Sequence, residues 1–283
     1  MFEYKEGFTI TRDFGEPFGR RCLMMNSENI EGCIEFMKRE NITHIEINSQ
    51  HGYRSTTINF LEKYNQIEGI NIVDENIDIT PIKYLKNLKS LILPYTYGQE
   101  LDFSMFTYLE DCAITWHKKT ASLLRCRSIK NLLISNYSAT DLNAFNQLSN
   151  LESLKLVECS ITSLKGIGYL KKLNKLDLNY IKKLSTLDGI EDSADTLNDL
   201  MLYKCNRLQD YHAIGRLSNL EILAVIESAE IDTLKFVKTL RCLKKIHLNV
   251  RVTDGDMSPL TGLKEVFFVK KKNFTHIVEQ IRK

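Results

Sequence analysis

Two pairs of polar side chains have residue types that general acid–base chemistry uses. His44 and Glu46 are two residues apart, so in a β-strand both side chains would lie on the same face. His247 and Asp177 occupy equivalent positions three sequence repeats apart, and about 14 Å would separate them in a parallel sheet, too far for a base and its orienting carboxylate. We therefore interpret His44 and Glu46 as a surface polar pair and predict that neither pair is catalytic.

The sequence lacks the short motifs of common catalytic and cofactor-binding sites. It contains no P-loop, no G-x-G-x-x-G, no H-E-x-x-H and no G-x-S-x-G. The tripeptide Asp254-Gly255-Asp256 has the acidic spacing of a calcium loop but is not followed by the further ligands such a loop needs, so it predicts a turn. We expect no enzymatic activity, no cofactor and no bound metal.

The charge balance and the cysteines indicate the compartment and exclude some partners. The 38 basic and 36 acidic side chains give a formal net charge of +2, which provides no long-range attraction to nucleic acid or acidic membranes. The longest apolar runs have about four residues, far fewer than a membrane span needs. The amino-terminal residues are polar, and the seven cysteines include no C-x-x-C pair. These features predict a cytoplasmic protein in a reducing compartment.

The elements that would position these side chains come from an internal repeat. The pattern L-x-x-L-x-L recurs ten times at intervals of 20 to 24 residues, and an earlier copy begins at Ile42. Its first apolar residues are Ile67, Leu88, Leu109, Ile129, Leu151, Leu173, Leu197, Leu220, Leu243 and Leu263. Leu154 and Leu156 lie two residues apart in one copy, so both point into the core of a strand and Lys155 points outward.

The second half of each repeat has apolar residues at a strict spacing of three. This spacing fits short 3₁₀ turns better than a long α-helix, because side chains at i and i+3 eclipse in 3₁₀ geometry. Cys159 and Cys205 occupy the position after the strand where such repeats carry Asn or Cys, which predicts buried structural side chains. Tyr137, Ile181 and Arg251 occupy the same position and depart from the consensus.

The pattern resembles that of the leucine-rich repeat superfamily, and the short repeats are similar to those of internalins and phosphatase regulators. The resemblance implies an α/β leucine-rich repeat solenoid, curved like a horseshoe, with a parallel β-sheet on the concave face and 3₁₀ or short helical turns on the convex face. We expect an amino-terminal cap at residues 1–41, an array of about 10 to 11 units at 42–270, and a carboxy-terminal cap at 271–283. The first cap would contain one helix over residues 29–39, begun by Ser27.

Outward positions of neighbouring repeats predict two apolar and aromatic patches on the concave face. Clusters of this composition are typical of interaction sites. Trp116 could instead belong to the core of the turn layer. The residues of the predicted binding surface are Ile92, Tyr95, Trp116, Leu133, Tyr180, Met201, Tyr203 and Ile226.

Function is predicted only at the level of class. We expect a non-catalytic module, monomeric when unbound, that binds another protein on its concave face and contacts neither nucleic acid nor membrane. The resemblance makes an inhibitor, an immunity protein or an adaptor plausible. The alternative is a structural subunit or self-associating scaffold of a larger assembly.

Overall fold

The computed structural model describes residues 2–11, 19–95 and 99–281. The chain divides into two compact units, Met1–Leu132 and Leu133–Lys283, and each is considered by itself. Both units have the same construction, in which short strands alternate with turns and 3₁₀ helices. This construction confirms the leucine-rich repeat solenoid predicted from the period of the sequence.

The strands of the first unit pair in chain order. The first two form an antiparallel hairpin, and the third is antiparallel to the second. From the third strand onward each pairing is parallel. The strands are β1 (Phe2–Lys5), β2 (Phe8–Thr11), β3 (Cys22–Met24), β4 (His44–Ile47), β5 (Gly69–Ile72), β6 (Ser90–Leu93) and β7 (Asp111–Thr115).

One α-helix, α1 (Ile30–Glu40), lies between β3 and β4. Its first turn is capped by Asn29, whose side-chain oxygen accepts a 3.2 Å hydrogen bond from the backbone N–H of Gly32. The prediction that Ser27 begins the helix was wrong, because the Ser27 hydroxyl accepts a bond from the N–H of Arg54 instead. The helix ends at Asn41, which has a left-handed backbone with φ of 52°.

The second unit repeats the parallel arrangement. Strands β9 to β14 pair in parallel, and successive residues of each strand pair with successive residues of the next strand. A short carboxy-terminal helix, α2 (Val278–Ile281), packs near β14. The strands are β8 (Asn131–Ser135), which spans the division between the units, β9 (Ser153–Val157), β10 (Lys175–Asn179), β11 (Asp199–Tyr203), β12 (Ile222–Ile226), β13 (Lys245–Asn249) and β14 (Glu265–Phe268).

The segments between strands contain 3₁₀ helices, as the spacing of three predicts. Their apolar side chains cover the side of the core opposite the sheet, for example Ile167, which is fully buried. The 3₁₀ helices are Ser49–His51, Asn59–Glu62, Thr80–Tyr84, Phe103–Met105, Lys118–Arg125, Asn143–Phe145, Ile167–Tyr169, Ile190–Ser193, His212–Arg216, Lys235–Thr239 and Ser258–Leu260.

In the repeats of β9 and β11 the core includes the two apolar strand residues and the cysteine two residues after the strand. Leu154 and Leu156 are 0% exposed. The thiol of Cys159 donates to the carbonyl oxygen of Ile134 at 3.5 Å, on the preceding strand. The thiol of Cys205 donates in the same way to Leu178 at 3.6 Å. Both cysteines therefore stabilise the turn between repeats, in agreement with the structural role predicted for them.

The repeat that contains β13 departs from the sequence prediction. Val250 directly follows β13, in the position that Lys204 has in its own repeat, and Arg251 occupies the position that the pattern assigns to the buried turn residue. The structure reverses them: Val250 is buried, and the guanidinium of Arg251 is exposed and pairs with Glu230 at 3.5 Å. An aliphatic side chain loses less by leaving water than a guanidinium does, so the turn shifts by one residue to bury the valine.

Candidate protein-binding surface

The outward positions of neighbouring strands lie side by side, as the repeat predicts. Backbone pairing sets Lys155, Asp177, Met201, Ala224, His247 and Phe267 opposite one another in the second unit. In the first unit it sets Met24, Glu46, Asn71, Ile92 and Ala113 opposite one another. We call the sheet face with these residues the outward face. It is the face on which the sequence predicts binding.

Part of the outward face of the first unit is buried. Glu46 is 0% exposed and His44 is 6% exposed, so the expectation of a surface polar pair was wrong. The guanidinium of Arg20, two residues before β3, lies 2.6 Å from the carboxylate of Asp111 on β7. This contact joins residues 91 positions apart, and no local pattern in the sequence indicates it.

Burial changes the ionisation of both side chains. It raises the pKa of Glu46 to about 7, although the Asn48 amide donates a 2.8 Å hydrogen bond to one carboxylate oxygen. Burial also lowers the pKa of His44 to about 4, assisted by the positive charge of Arg20. The imidazole lies directly over Gly69, where a Cβ would meet its Cδ2 atom at 1.9 Å. This neutral, enclosed histidine has no access to a substrate.

The first predicted patch is only partly assembled within one unit. Ile92 is half-buried on β6, Tyr95 is 44% exposed two residues after β6, and Trp116 is half-buried immediately after β7. The Thr115 hydroxyl donates to the carbonyl oxygen of Pro94, so the ends of these two strands are joined. Leu133 is half-buried on β8 and belongs to the second unit.

The second predicted patch has direct contacts among its aromatic residues. The rings of Tyr180 and Tyr203 are edge to face, with centroids 5.1 Å apart and an interplanar angle of 86°. Their hydroxyl oxygens are 3.5 Å apart. Met201 and Ile226 are half-buried on the same face, and Ile226 is the register partner of Tyr203. Met201, Tyr203 and Ile226 therefore lie on adjacent strands, Tyr180 directly follows the neighbouring strand β10, and the two tyrosines touch.

A lysine that the sequence prediction did not include completes this patch. The Lys204 ammonium lies 4.8 Å from the centroid of the Tyr180 ring and 5.1 Å from that of Tyr203. It also lies 3.3 Å from the carboxylate of Glu227. Hydrogen bonding to the two tyrosines and to Glu227 raises the pKa of Lys204, so the ammonium is charged at neutral pH. We call Tyr180, Tyr203 and Lys204 the tyrosine–lysine cluster.

Backbone conformation explains why these side chains meet. The residue directly after each of β8 to β12 has a left-handed backbone, with φ between 47° and 60°. The backbone N–H of each donates to a carbonyl one strand further on, for example from Tyr180 to Tyr203 at 2.8 Å. This strand-end row therefore extends the sheet by one residue and fixes the direction of its side chains. It consists of Asn136, Glu158, Tyr180, Lys204 and Glu227.

The part of the chain that the structure describes has neither a metal-binding cluster nor a membrane-spanning helix. Within residues 2–11, 19–95 and 99–281, no three His, Cys, Asp or Glu side chains are grouped to hold a metal ion. None of the helices in these ranges is long and apolar enough to cross a lipid bilayer. All seven cysteines are free thiols, and Cys242 is the exposed one.

Comparison with known proteins agrees with the architecture. Residues 165–258 match the family model of Zer-1-like leucine-rich repeats. Among curated proteins, none matches the sequence of this chain. The match to the family model covers about a third of the chain, and with the repeat architecture it assigns the chain a leucine-rich repeat fold.

Solved structures with similar folds have low sequence identity to this chain. An internalin (inlF) from Listeria monocytogenes has a TM-score of 0.51 at 18% identity, over 88% of this chain and 87% of that chain. The functional domain of InlJ from the same organism has a TM-score of 0.50 at 15% identity, over 80% of this chain and 56% of that one. A TLR13–ssRNA13 complex has a TM-score of 0.53 at 21% identity, over 80% of this chain and 36% of that chain. These similarities concern the fold.

Proposed function

We propose that this chain is a non-catalytic binding module that holds a partner protein on the outward face of its second unit. Leucine-rich repeat proteins are in general interaction modules of this kind. The observation that carries the proposal is the tyrosine–lysine cluster, in which two aromatic rings and a cation are held together on a sheet face. Tyr, Trp and Arg are the residues that most often dominate binding energy at interfaces, and a lysine fixed on aromatic rings presents a comparable surface.

The remaining predicted residues have supporting positions in this proposal. Met201 and Ile226 provide apolar area beside the cluster, and Leu133 is a further outward residue of the second unit. Ile92, Tyr95 and Trp116 would form a separate contact area within the first unit. The free thiols support a reducing, cytoplasmic setting for the complex. A module of this type would act as an inhibitor, an immunity protein or an adaptor, and the identity of the partner would decide among these roles.

The proposal is tested by affinity capture from host lysate followed by mass spectrometry. The wild-type chain is compared with the double variant Tyr180→Ala/Tyr203→Ala. The matched control is Tyr169→Ala, which removes a tyrosine that is 50% exposed in the 3₁₀ helix Ile167–Tyr169, away from the sheet. We expect a protein retained by the wild type and the control but at least tenfold depleted with the double variant. Equal recovery with all three chains would contradict the proposed site.

A structural role in a larger assembly is the second candidate function. The observation that favours it is the exposure of Phe2 (48%) and Tyr4 (75%) on β1, the first strand in the pairing order. The backbone N–H and C=O groups of a strand at the edge of a sheet can pair with a second copy of the chain, and that contact would cover the exposed apolar side chains. Sedimentation velocity over a hundredfold concentration range would show a rising mass that Tyr4→Ser abolishes. A constant monomer mass would remove this candidate.

A further inference from the structure

We infer that the tyrosine–lysine cluster and the adjoining turn residues bind an acidic segment of the partner protein. This inference rests on the proposed function, because it names the chemistry that the same surface would recognise. It depends on three features of the second unit: the hydrogen-bonding groups of the cluster, the charges beside it, and the fixed direction of its side chains.

The cluster brings donors together around one point. The Tyr180 hydroxyl donates to the Tyr203 oxygen at 3.5 Å, and the Lys204 ammonium donates to the Tyr180 oxygen at the same distance. An ammonium has three N–H donors and a tyrosine has one O–H donor. The ammonium also interacts with Tyr203 and Glu227, so its three N–H groups are engaged in the unbound chain, and the Tyr203 hydroxyl proton remains to be donated. A carboxylate that replaces Glu227 would meet the released N–H of Lys204 and the Tyr203 hydroxyl, two neighbouring donors for its two oxygens.

The protein already shows that a carboxylate fits beside Lys204. The Glu227 carboxylate lies 3.3 Å from the ammonium, and the two side chains are 49% and 33% exposed. An ion pair at this level of exposure contributes little to folding, so a partner carboxylate can replace Glu227 at small cost. Excluding water at the interface would strengthen the new pair, because charges attract more strongly in a medium of lower dielectric constant.

The turn residues next to the cluster add positive charge. Lys182 and Lys183 follow Tyr180, and Arg207 occupies the position in the next repeat that corresponds to Lys183; all three are exposed. With Lys204, this end of the sheet has four basic side chains across two neighbouring repeats. The acidic residues of the same strand-end row are Glu158 and Glu227. The local excess of positive charge favours an acidic partner and would accelerate association at low salt.

The side chains are held in place before a partner arrives. Tyr180, Lys204 and Glu227 project from left-handed backbone positions that are bonded to the next strand. The edge-to-face contact of the tyrosines and the ammonium above them restrict their rotamers further. Side chains that are already ordered lose little conformational entropy on binding, so less of the favourable contact energy is offset and the affinity is higher.

The test uses random twelve-residue peptides displayed on phage and selected on the wild-type chain. Clones are then sorted by whether they also bind Tyr180→Ala/Tyr203→Ala. We expect clones that fail to bind this variant to be enriched in Asp and Glu next to an apolar residue. Selection on Lys204→Glu/Arg207→Glu should instead enrich Lys and Arg. Lys235→Glu, an exposed lysine in the 3₁₀ helix Lys235–Thr239, is the charge-matched control and should select acidic clones like the wild type.

The strongest acidic clone is then synthesised with a fluorescent label, and its anisotropy is measured with each variant. We expect Lys204→Met to weaken binding at least tenfold in 50 mM salt, and 200 mM salt to weaken binding to the wild type as well. Circular dichroism melting curves that match the wild type would show that the variants are folded. A labelled single-stranded RNA of twenty nucleotides is the competing probe, and tighter Lys204-dependent binding of RNA than of peptide would overturn the inference.

The outcomes separate this inference from the proposed function. Cluster-dependent clones with no excess of Asp and Glu would overturn the acidic partner and leave the binding surface in place. Clones that all bind the double tyrosine variant as well as the wild type would contradict the surface itself, and the acidic partner with it.

Discussion

Buried Glu46 and His44 make the stability of the first unit depend on pH in opposite directions. The pKa of Glu46 is about 7 in the folded chain against 4.5 ordinarily, so folding favours the protonated carboxyl. The contribution of Glu46 to the free energy of unfolding is complete below pH 4.5 and is lost as the pH rises through 7. The pKa of His44 is about 4 against 6.5 ordinarily, so its contribution is present above pH 6.5 and is lost as the pH falls through 4.

We therefore predict maximal stability of the wild-type chain at mildly acidic pH, between the two transitions. Glu46→Gln keeps the shape and the hydrogen-bonding capacity of the side chain but removes its charge. It should stabilise the chain at pH 8 by about 2 kcal/mol and have little effect at pH 4.5. Urea denaturation at both pH values measures this, with the exposed Glu158→Gln as control. An equal effect of Glu46→Gln at both pH values would contradict the raised pKa of the buried Glu46 carboxyl.

The exposure of Trp116 bears on its role in the first patch. Trp116 is half-buried after β7, so removal of its ring should cost less than removal of a core side chain. We predict that Trp116→Ala lowers the free energy of unfolding by about 1 kcal/mol. Circular dichroism melting and denaturant titration give the value. A loss of about 3 kcal/mol or more, as for a fully buried aromatic residue, would place Trp116 in the core and remove it from the binding surface.

At the scale of one repeat, stability comes from the apolar pair in each strand. Leu154 on β9 and Leu176 on β10 are each 0% exposed and face the same core. We predict that Leu154→Ala or Leu176→Ala destabilises the chain by roughly 2–5 kcal/mol, because each leaves a cavity between neighbouring repeats. Lys155→Ala, one residue from Leu154 on the outward side, is the matched control and should change stability by less than about 0.5 kcal/mol. Similar losses in all three variants would contradict the assignment of the two faces.

The strand-end row leads to a prediction about backbone conformation. Glu158 is exposed and has a φ of 54°, a conformation that costs about 1–2 kcal/mol in a residue with a Cβ. Glycine avoids this cost, so Glu158→Gly should be neutral or stabilising by up to about 1 kcal/mol. Lys155→Gly, in the middle of β9, should be destabilising by about 1 kcal/mol. Denaturant titration of the two variants compares them, and the same sign for both would contradict a left-handed conformation at Glu158.

At the scale of the whole chain, the repeat made the fold predictable. The apolar period specifies which residues enter the core and which strands are neighbours, and Leu154, Leu156 and Cys159 all lie where the pattern placed them. The cap of α1 was misassigned because Ser27 and Asn29 are both good cap residues, and the choice depends on the hydrogen bond that the Arg54 backbone N–H donates to the Ser27 hydroxyl oxygen. The burial of Val250 in place of Arg251 was not predicted, because a repeat length that varies from 20 to 24 residues does not specify where a turn is shifted by one residue.

The candidate surface was only partly predictable. Tyr180, Met201, Tyr203 and Ile226 follow from the outward positions, and strand register brings Met201, Tyr203 and Ile226 together. Lys204 and Glu227 were left out because the patches were chosen for apolar and aromatic side chains, and their contacts with the tyrosines depend on the left-handed backbone after the strands. The repeat pattern did not indicate the burial of Glu46, and it did not indicate the ion pair between Arg20 and Asp111, a contact set by tertiary structure. In each case the missing information was a contact between repeats.

The most direct test of the central claim is photo-crosslinking in the host cell. A benzophenone amino acid replaces Met201, beside the tyrosine–lysine cluster, and in a second chain it replaces Tyr169, away from the sheet. We predict that illumination produces an adduct with a different protein from position 201 and none from position 169. An adduct from position 169 alone, or an adduct from position 201 with the mass of two copies of this chain, would contradict a partner-binding surface on the outward face.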